Sequence, residues 1–361
     1  IPNFLGYEKI IMNFYSQLEK MVGQMIVAGF RGVHLNQSNQ IIEDIQKNNL
    51  GGVILYDKDI TVNPHEKRNI ESPKQLKFLI KTLQSYAETP LFISIDQEGG
   101  SVARLQPSYG FPELPSWNHI GVLDNLLITE QFANTISDSL GQCGINLNFA
   151  PVLDLDFGAE TIMGKSNRAL SSDPKKVAEH SKLFIRALKK NNIISCGKHF
   201  PGQGSAIGDT HEGFTDISAS WTVADLFPFD DLIQSDDLDM IMMAHVFNKK
   251  LDSDFPASLS REIVTGMLRK DLGFAGVVIC DDPSMRAISD HYELEQTFEL
   301  MLNAGIDLFC LGNNLIYDPD YIPKAVSALC NLVESGKISE SRIQESIERI
   351  KTLKSKYKVY G

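Results

Sequence analysis

Residues 197–213, GKHFPGQGSAIGDTHEG, place two histidines, a lysine, an aspartate and five glycines directly after the apolar run Ile193-Ile194-Ser195-Cys196. A strand that ends in Lys-His and opens into such a loop could be a phosphate cradle, a metal site or an acid/base device. A phosphate cradle of the G-x-x-x-x-G-K-[ST] kind needs its lysine after the glycines, and here Lys198 comes before them. A metal could be held if His199, His211, His245, Asp209 and Asp281 converged, but the H-x-H that metal-dependent barrel hydrolases carry after their first strand is missing; the expectation is no metal. In the third reading Asp209 and His211 form a dyad. The carboxylate orients the imidazole and favours its protonated form, so that His211 can give and take a proton near neutral pH, and the glycines let the loop close over a substrate.

Two further stretches carry acidic side chains. In CDDPSM, 280–285, Asp281 is the first polar residue after Val277-Val278-Ile279-Cys280. A desolvated carboxylate there is costly without partners or a task, and it suits covalent attack at an anomeric carbon. Asp282, before Pro283, also reads as a cap for the next helix. In IDQEGG, 95–100, Asp96 could accept two sugar hydroxyls and Arg104 could donate to another. Glu98 reads either as a catalytic acid or as an acceptor for loop amides.

These side chains need elements that bring them together. Eight short apolar runs recur: 25–28, 53–55, 91–95, 147–150, 193–196, 240–244, 277–280 and 308–311. Amphipathic stretches lie between them, at 73–87, 130–141, 174–190, 260–271 and 294–304. Strand then helix, eight times, predicts a (β/α)₈ TIM barrel, with a doubly wound open sheet as the alternative. Asp96, Asp154, Lys198, His199, His245, Asp281 and Asn313 all fall at the carboxyl ends of runs, which in a barrel converge on one face. No linker or low-complexity segment divides the chain. Residues 1–361 are therefore expected to form one barrel domain with N- and C-terminal packing helices, the latter from Ile338, Ile343, Ile347 and Ile350 at helical spacing.

The bulk numbers set bounds. The chain has 43% hydrophobic and 22% charged residues, with a formal charge of −12. No apolar run approaches the roughly 18 residues of a membrane span, and the acidity disfavours nucleic acid and anionic membranes as partners. Cys143, Cys196, Cys280, Cys310 and Cys330 make no C-x-x-C pair and read as buried free thiols. That favours a reducing, cytoplasmic location, while a first residue that is not Met leaves a periplasmic or secreted one open. A monomer is expected.

DQEGG, NFAPVLD, SNRALSSDP, KHFPGQG with DTH, MMAHV, PASLS and CDDPSM run colinearly from Met25 to about Asn314. In this the sequence resembles glycoside hydrolase family 3, and within it the single-domain bacterial β-N-acetylglucosaminidases of peptidoglycan-recycling type. The resemblance implies that Asp281 is the nucleophile, that His211 is the acid/base with Asp209 as its partner, and that Asp96, Arg104, Arg168, Lys198 and His199 hold the terminal sugar. It implies a retaining exo-hydrolase that needs no cofactor, acting on muropeptide fragments or chitooligosaccharides. The alternatives are a family 3 β-glucosidase, whose acid would be a glutamate on another domain, or an inactive sugar-binding barrel. Phosphorolysis stays open beside hydrolysis. The sequence departs from the family pattern at Ser101, where an arginine is usual, at Gln203, where a histidine is usual, and at Thr210, where a serine is usual.

Overall fold

The computed structural model describes residues 17–62 and 66–360. Eight parallel strands form a closed barrel: β1 (Ile26–Gly29), β2 (Gly52–Leu55), β3 (Phe92–Ile95), β4 (Leu147–Asn148), β5 (Ile194–Phe200), β6 (Met240–Met243), β7 (Val277–Cys280) and β8 (Leu308–Leu311). Each pairs with its neighbours in sequence, and β1 closes on β8 with Val27 opposite Cys310. That last pairing excludes the doubly wound sheet, which leaves two edges open.

The helices between strands start and stop where side chains satisfy their ends. Ser72 accepts from the Gln75 amide at 3.2 Å and Asp173 from the Lys175 amide at 2.9 Å, opening Pro73–Tyr86 and Pro174–Lys190. The expected helix at 130–141 begins earlier, at Leu126, because Asn125 caps the amides of Leu127 and Ile128. Periodicity hid that turn, since Leu127 is exposed. The stretch at 260–271 is wound as a π-helix over Glu262–Asp271. Strand β5 runs four residues past its apolar run, so that Lys198 and His199 lie within the sheet.

The two ends of the barrel use charge differently. At the amino ends of the strands, Asp307 accepts from the Val278 amide at 3.0 Å and pairs with Arg269 at 2.6 Å and Arg349 at 3.0 Å. Asp239 takes Lys356 and the Tyr357 hydroxyl, both at 2.6 Å. Arg349 and Lys356 belong to the C-terminal helix Glu340–Lys356, whose Ile343, Ile347 and Ile350 are buried, so the acids of this face fasten that helix down. The acids of the opposite face have other partners. No helix among the described residues is long and apolar enough to cross a membrane.

Candidate active site

A cavity of about 330 Å³ opens at the carboxyl ends of the strands. All eight residues expected to act there line it: Asp281, His211, Asp209, Asp96, Arg104, Arg168, Lys198 and His199. They arrive from the ends of β3, β5 and β7, from the hairpin after β3, and from the loops after β4 and β5.

Asp281 follows the last residue of β7, and one of its carboxylate oxygens accepts from the Asp282 amide at 2.9 Å. Burial alone would push its pKa up, but the imidazoles of His199, His245 and His211, with that amide, hold it below the ordinary value of 3.8. Those groups favour Asp281 as an anion, the state a nucleophile needs. Asp282 does a different job. Its two oxygens accept from the amides of Ser284 and Gly312, both at 2.9 Å, which caps the turn and ties the end of β7 to the end of β8. Burial pushes its pKa up to about 6.

His211 Nδ1 lies 2.7 Å from Asp209 Oδ1, and its backbone amide donates to the same oxygen at 2.9 Å. With Nδ1–H donating to the carboxylate, Nε2 is the nitrogen left for proton exchange. Burial pulls the imidazole's pKa down, but the Asp209 hydrogen bond and the charges of Asp281 and Asp209 raise it above its ordinary 6.5. Asp209 is shifted below 3.8, chiefly by the same hydrogen bond. The loop is tied to its surroundings by the Ala287 amide on the Thr210 carbonyl at 3.2 Å and the Ile162 amide on that of Ala206 at 2.9 Å.

The floor is an ion-paired network. Lys198 Nζ donates to Asp96 at 2.8 Å and lies 2.6 Å from Glu98. Arg168 clamps Glu98 through two hydrogen bonds of 2.9 and 2.8 Å. Burial would raise the pKa of Glu98, yet Arg168 and Lys198 overcome it and hold the carboxyl far below its ordinary value. Its pairing with both cations keeps Glu98 an anion, which argues against it as the acid, and it fixes two cations that face the cavity. Arg104 sits 3.8 Å from both Asp57 and Asp96, beyond hydrogen-bond range, and its buried Nε has no partner, which leaves it donors for an incoming group.

If Glu98 only positions these cations, Glu98→Gln should lower the melting temperature and weaken turnover by the same factor for activated and unactivated leaving groups. Removing one member of a buried ion set typically costs about 3–5 kcal/mol. A loss confined to unactivated leaving groups would restore Glu98 as the acid.

His199 Nδ1 is 2.6 Å from Asp154 Oδ2, so Asp154 supports the site without lining it. His245 is buried below, between the Ser258 hydroxyl at 2.7 Å and the Asp282 carbonyl at 3.2 Å, and burial lowers its pKa. The three histidines thus have separate partners, and among the described residues no group of three His, Cys, Asp or Glu is arranged to hold a metal ion. Asn313 does not line the cavity either; its side chain staples the loop after β8 to Asp318, and Asn314 lines the cavity instead. Ser101 donates to the Ser166 carbonyl at 2.9 Å. Tyr56 and Asp57 were missed by the sequence reading, although they are the first polar residues after the second apolar run, the rule that selected Asp96.

An anionic carboxylate facing a carboxylate-supported imidazole, over a floor of ion-paired hydroxyl binders, is the equipment for cleaving a glycosidic bond. The sequence profile of the glycosyl hydrolase family 3 N terminal domain matches residues 17–353. The chain belongs to glycosyl hydrolase family 3. The chain is 31% identical over 320 residues to a beta-hexosaminidase of Nitrosomonas eutropha, covering 84% of this chain and 85% of the relative. It is 35% identical over 279 residues to one of Tolumonas auensis, covering 73% and 76%. Among solved structures it resembles a family 3 beta-N-acetylglucosaminidase from Paenibacillus sp. str. FPU-7, with a TM-score of 0.86 and 31% identity over 95% of this chain. This chain spans 63% of the length of that Paenibacillus chain. A beta-N-acetylhexosaminidase from Beutenbergia cavernae gives a TM-score of 0.82 at 25% identity, covering 94% and 98%. This family 3 barrel is a glycoside hydrolase, as its motifs led one to expect.

Proposed function

We propose that this chain is a retaining exo-β-N-acetylglucosaminidase, with the described residues acting as one catalytic barrel and its C-terminal packing helix; an N-terminal packing helix over the first sixteen residues would lie outside the described residues. The observation that carries the reading is that the Asp209–His211 dyad and the Asp281 anion line one small cavity. Asp281 attacks the anomeric carbon while His211 protonates the departing oxygen, giving a glycosyl-aspartate. His211, now neutral, then takes a proton from water as that water displaces Asp281 and releases the sugar. Lys198 with Asp96, Arg168, Arg104 and His199 hold the terminal sugar by its hydroxyls. A histidine suits this exchange, because two adjacent carboxylates would raise one another's pKa. At about 330 Å³ the cavity is at the small end of the roughly 300–1,000 Å³ of small-molecule sites, which supports removal of one terminal residue.

The natural substrate in this reading is an N-acetylglucosaminyl-anhydro-N-acetylmuramyl peptide, with chitooligosaccharides as the competing class. The names of the relatives support the N-acetyl preference. Five buried free thiols support a reducing, cytoplasmic setting. Proton NMR of an early time point tests the mechanism: the β-anomer of N-acetylglucosamine should form first, and initial α-anomer would contradict retention. A sugar-1-phosphate in phosphate buffer would replace hydrolysis by phosphorolysis.

A further inference from the structure

Gln203 stands four residues after His199 and is 6% exposed. Its backbone is fixed on both sides. The amide donates to Asp154 at 2.8 Å and the carbonyl accepts from Ala206 at 3.0 Å. Its neighbours leave it no room to retreat: a Cβ on Gly204 would fall 2.0 Å from the Leu155 carbonyl oxygen, and one on Gly202, whose φ is +103°, would fall 2.7 Å from the Asp225 side chain. The Gln203 side chain lines the cavity, and its amide joins none of the hydrogen bonds formed among the described residues. The backbone that carries this amide is rigidly mounted, and the amide itself keeps solvent contact in the cavity, so its acceptor and donors are free to pair with a ligand there.

Rested on the reading just proposed, the geometry points to Gln203 as the residue that recognises the 2-acetamido group of the terminal sugar. The chemistry selects this ligand class. The charged floor groups suit hydroxyls, whereas a carboxamide offers one acceptor and two donors, the complement of an acetamide N–H and C=O. The only other side-chain amide on the cavity wall among the described residues, that of Asn314, has its oxygen taken by the Ile60 amide and Arg68. Apolar Ile162 and Met163 also line the cavity and are joined to the Gln203 turn through the Ile162 amide on Ala206, so a methyl group has a surface beside the amide. Asp154 anchors the His199 ring and the Gln203 backbone together, and Gln203, His199 and Asp281 line the same cavity, so a sugar that Asp281 attacks lies within the wall that Gln203 forms.

The test compares kcat/KM for the nitrophenyl β-N-acetylglucosaminide and β-glucoside in wild type, Gln203→Leu and Gln203→Asn. The ratio of the two is independent of how much enzyme is correctly folded. The expected result is a ratio at least about tenfold lower in Gln203→Leu, from the loss of paired hydrogen bonds to the acetamido group. Gln203→Asn, which keeps the amide but shortens its reach, should fall between. A ratio that stays at the wild-type value in a wild type that prefers the N-acetyl substrate would overturn the assignment of Gln203 alone. A wild type that prefers the glucoside would instead overturn the functional reading on which the assignment rests.

Discussion

Asp281→Ala should lower kcat for a nitrophenyl β-N-acetylglucosaminide by roughly 10⁴-fold or more, with the far-ultraviolet circular dichroism unchanged. Losses of that order follow removal of a covalent nucleophile, because the remaining electrostatics cannot replace bond formation. The variant leaves a small hole on the face from which the carboxylate attacked, lined by His199, His211 and neighbouring groups that favour an anion. Azide added at high concentration should therefore restore turnover in part and give the α-glycosyl azide, the product of direct attack from that face. Unchanged turnover in Asp281→Ala, or a β-azide, would remove Asp281 from the nucleophile's role.

The second large effect belongs to the dyad. His211→Ala should lower kcat/KM, which reports formation of the glycosyl-enzyme, by about 10²–10⁴-fold on a chitobiose-type substrate, whose leaving oxygen needs a proton, and far less on a dinitrophenyl glycoside, whose leaving group does not. The pH dependence follows from the two charge states. In the free enzyme Asp281 must be ionised and His211 protonated, so kcat/KM falls on the acid side as pH drops through the Asp281 pKa, which lies below 3.8. It falls on the basic side as pH rises through the His211 pKa, which lies above 6.5. Asp209→Asn removes the charge that stabilises the imidazolium, so the basic limb should move to lower pH while the acid limb stays. A basic limb that does not move would mean that His211 is not the group titrating there. A loss of kcat/KM on the dinitrophenyl glycoside equal to that on chitobiose would mean that His211 is not the acid.

Most of this site could be read from the order of residue types along the chain, for a physical reason. In a closed parallel barrel the carboxyl end of every strand faces one mouth, so the first polar residue after each apolar run is a candidate without any knowledge of distance. Asp96, Lys198, His199 and Asp281 follow from that rule. Asp209 and His211 do not end a strand, and were visible because a glycine-rich loop carries a carboxylate and an imidazole two residues apart, close enough for the bond of 2.7 Å between them. What a linear reading could not supply was partnership. Glu98 looked like an available acid until Arg168 and Lys198 were seen to occupy both its oxygens, and those cations come from a loop and a strand 70 and 100 residues away. Likewise His245 and Asn313 sit at strand ends as expected but turn to Ser258 and Asp318 rather than to the cavity. The bounds of the helices failed where caps outranked periodicity, as at Asn125, and those of β5 where buried polar residues continue a strand.

Direct capture of the glycosyl-enzyme tests the central claim. A 5-fluoro-N-acetylglucosaminyl fluoride slows both steps by destabilising the oxocarbenium-like transition state, while its fluoride leaves readily, so an intermediate should accumulate. Intact-mass spectrometry should show one added fluoro-N-acetylhexosaminyl group, and fragmentation of the peptide bearing Cys280-Asp281-Asp282 should place it on Asp281. Inactivation without an adduct, or an adduct on Asp282, Glu98 or any other residue, would contradict the account.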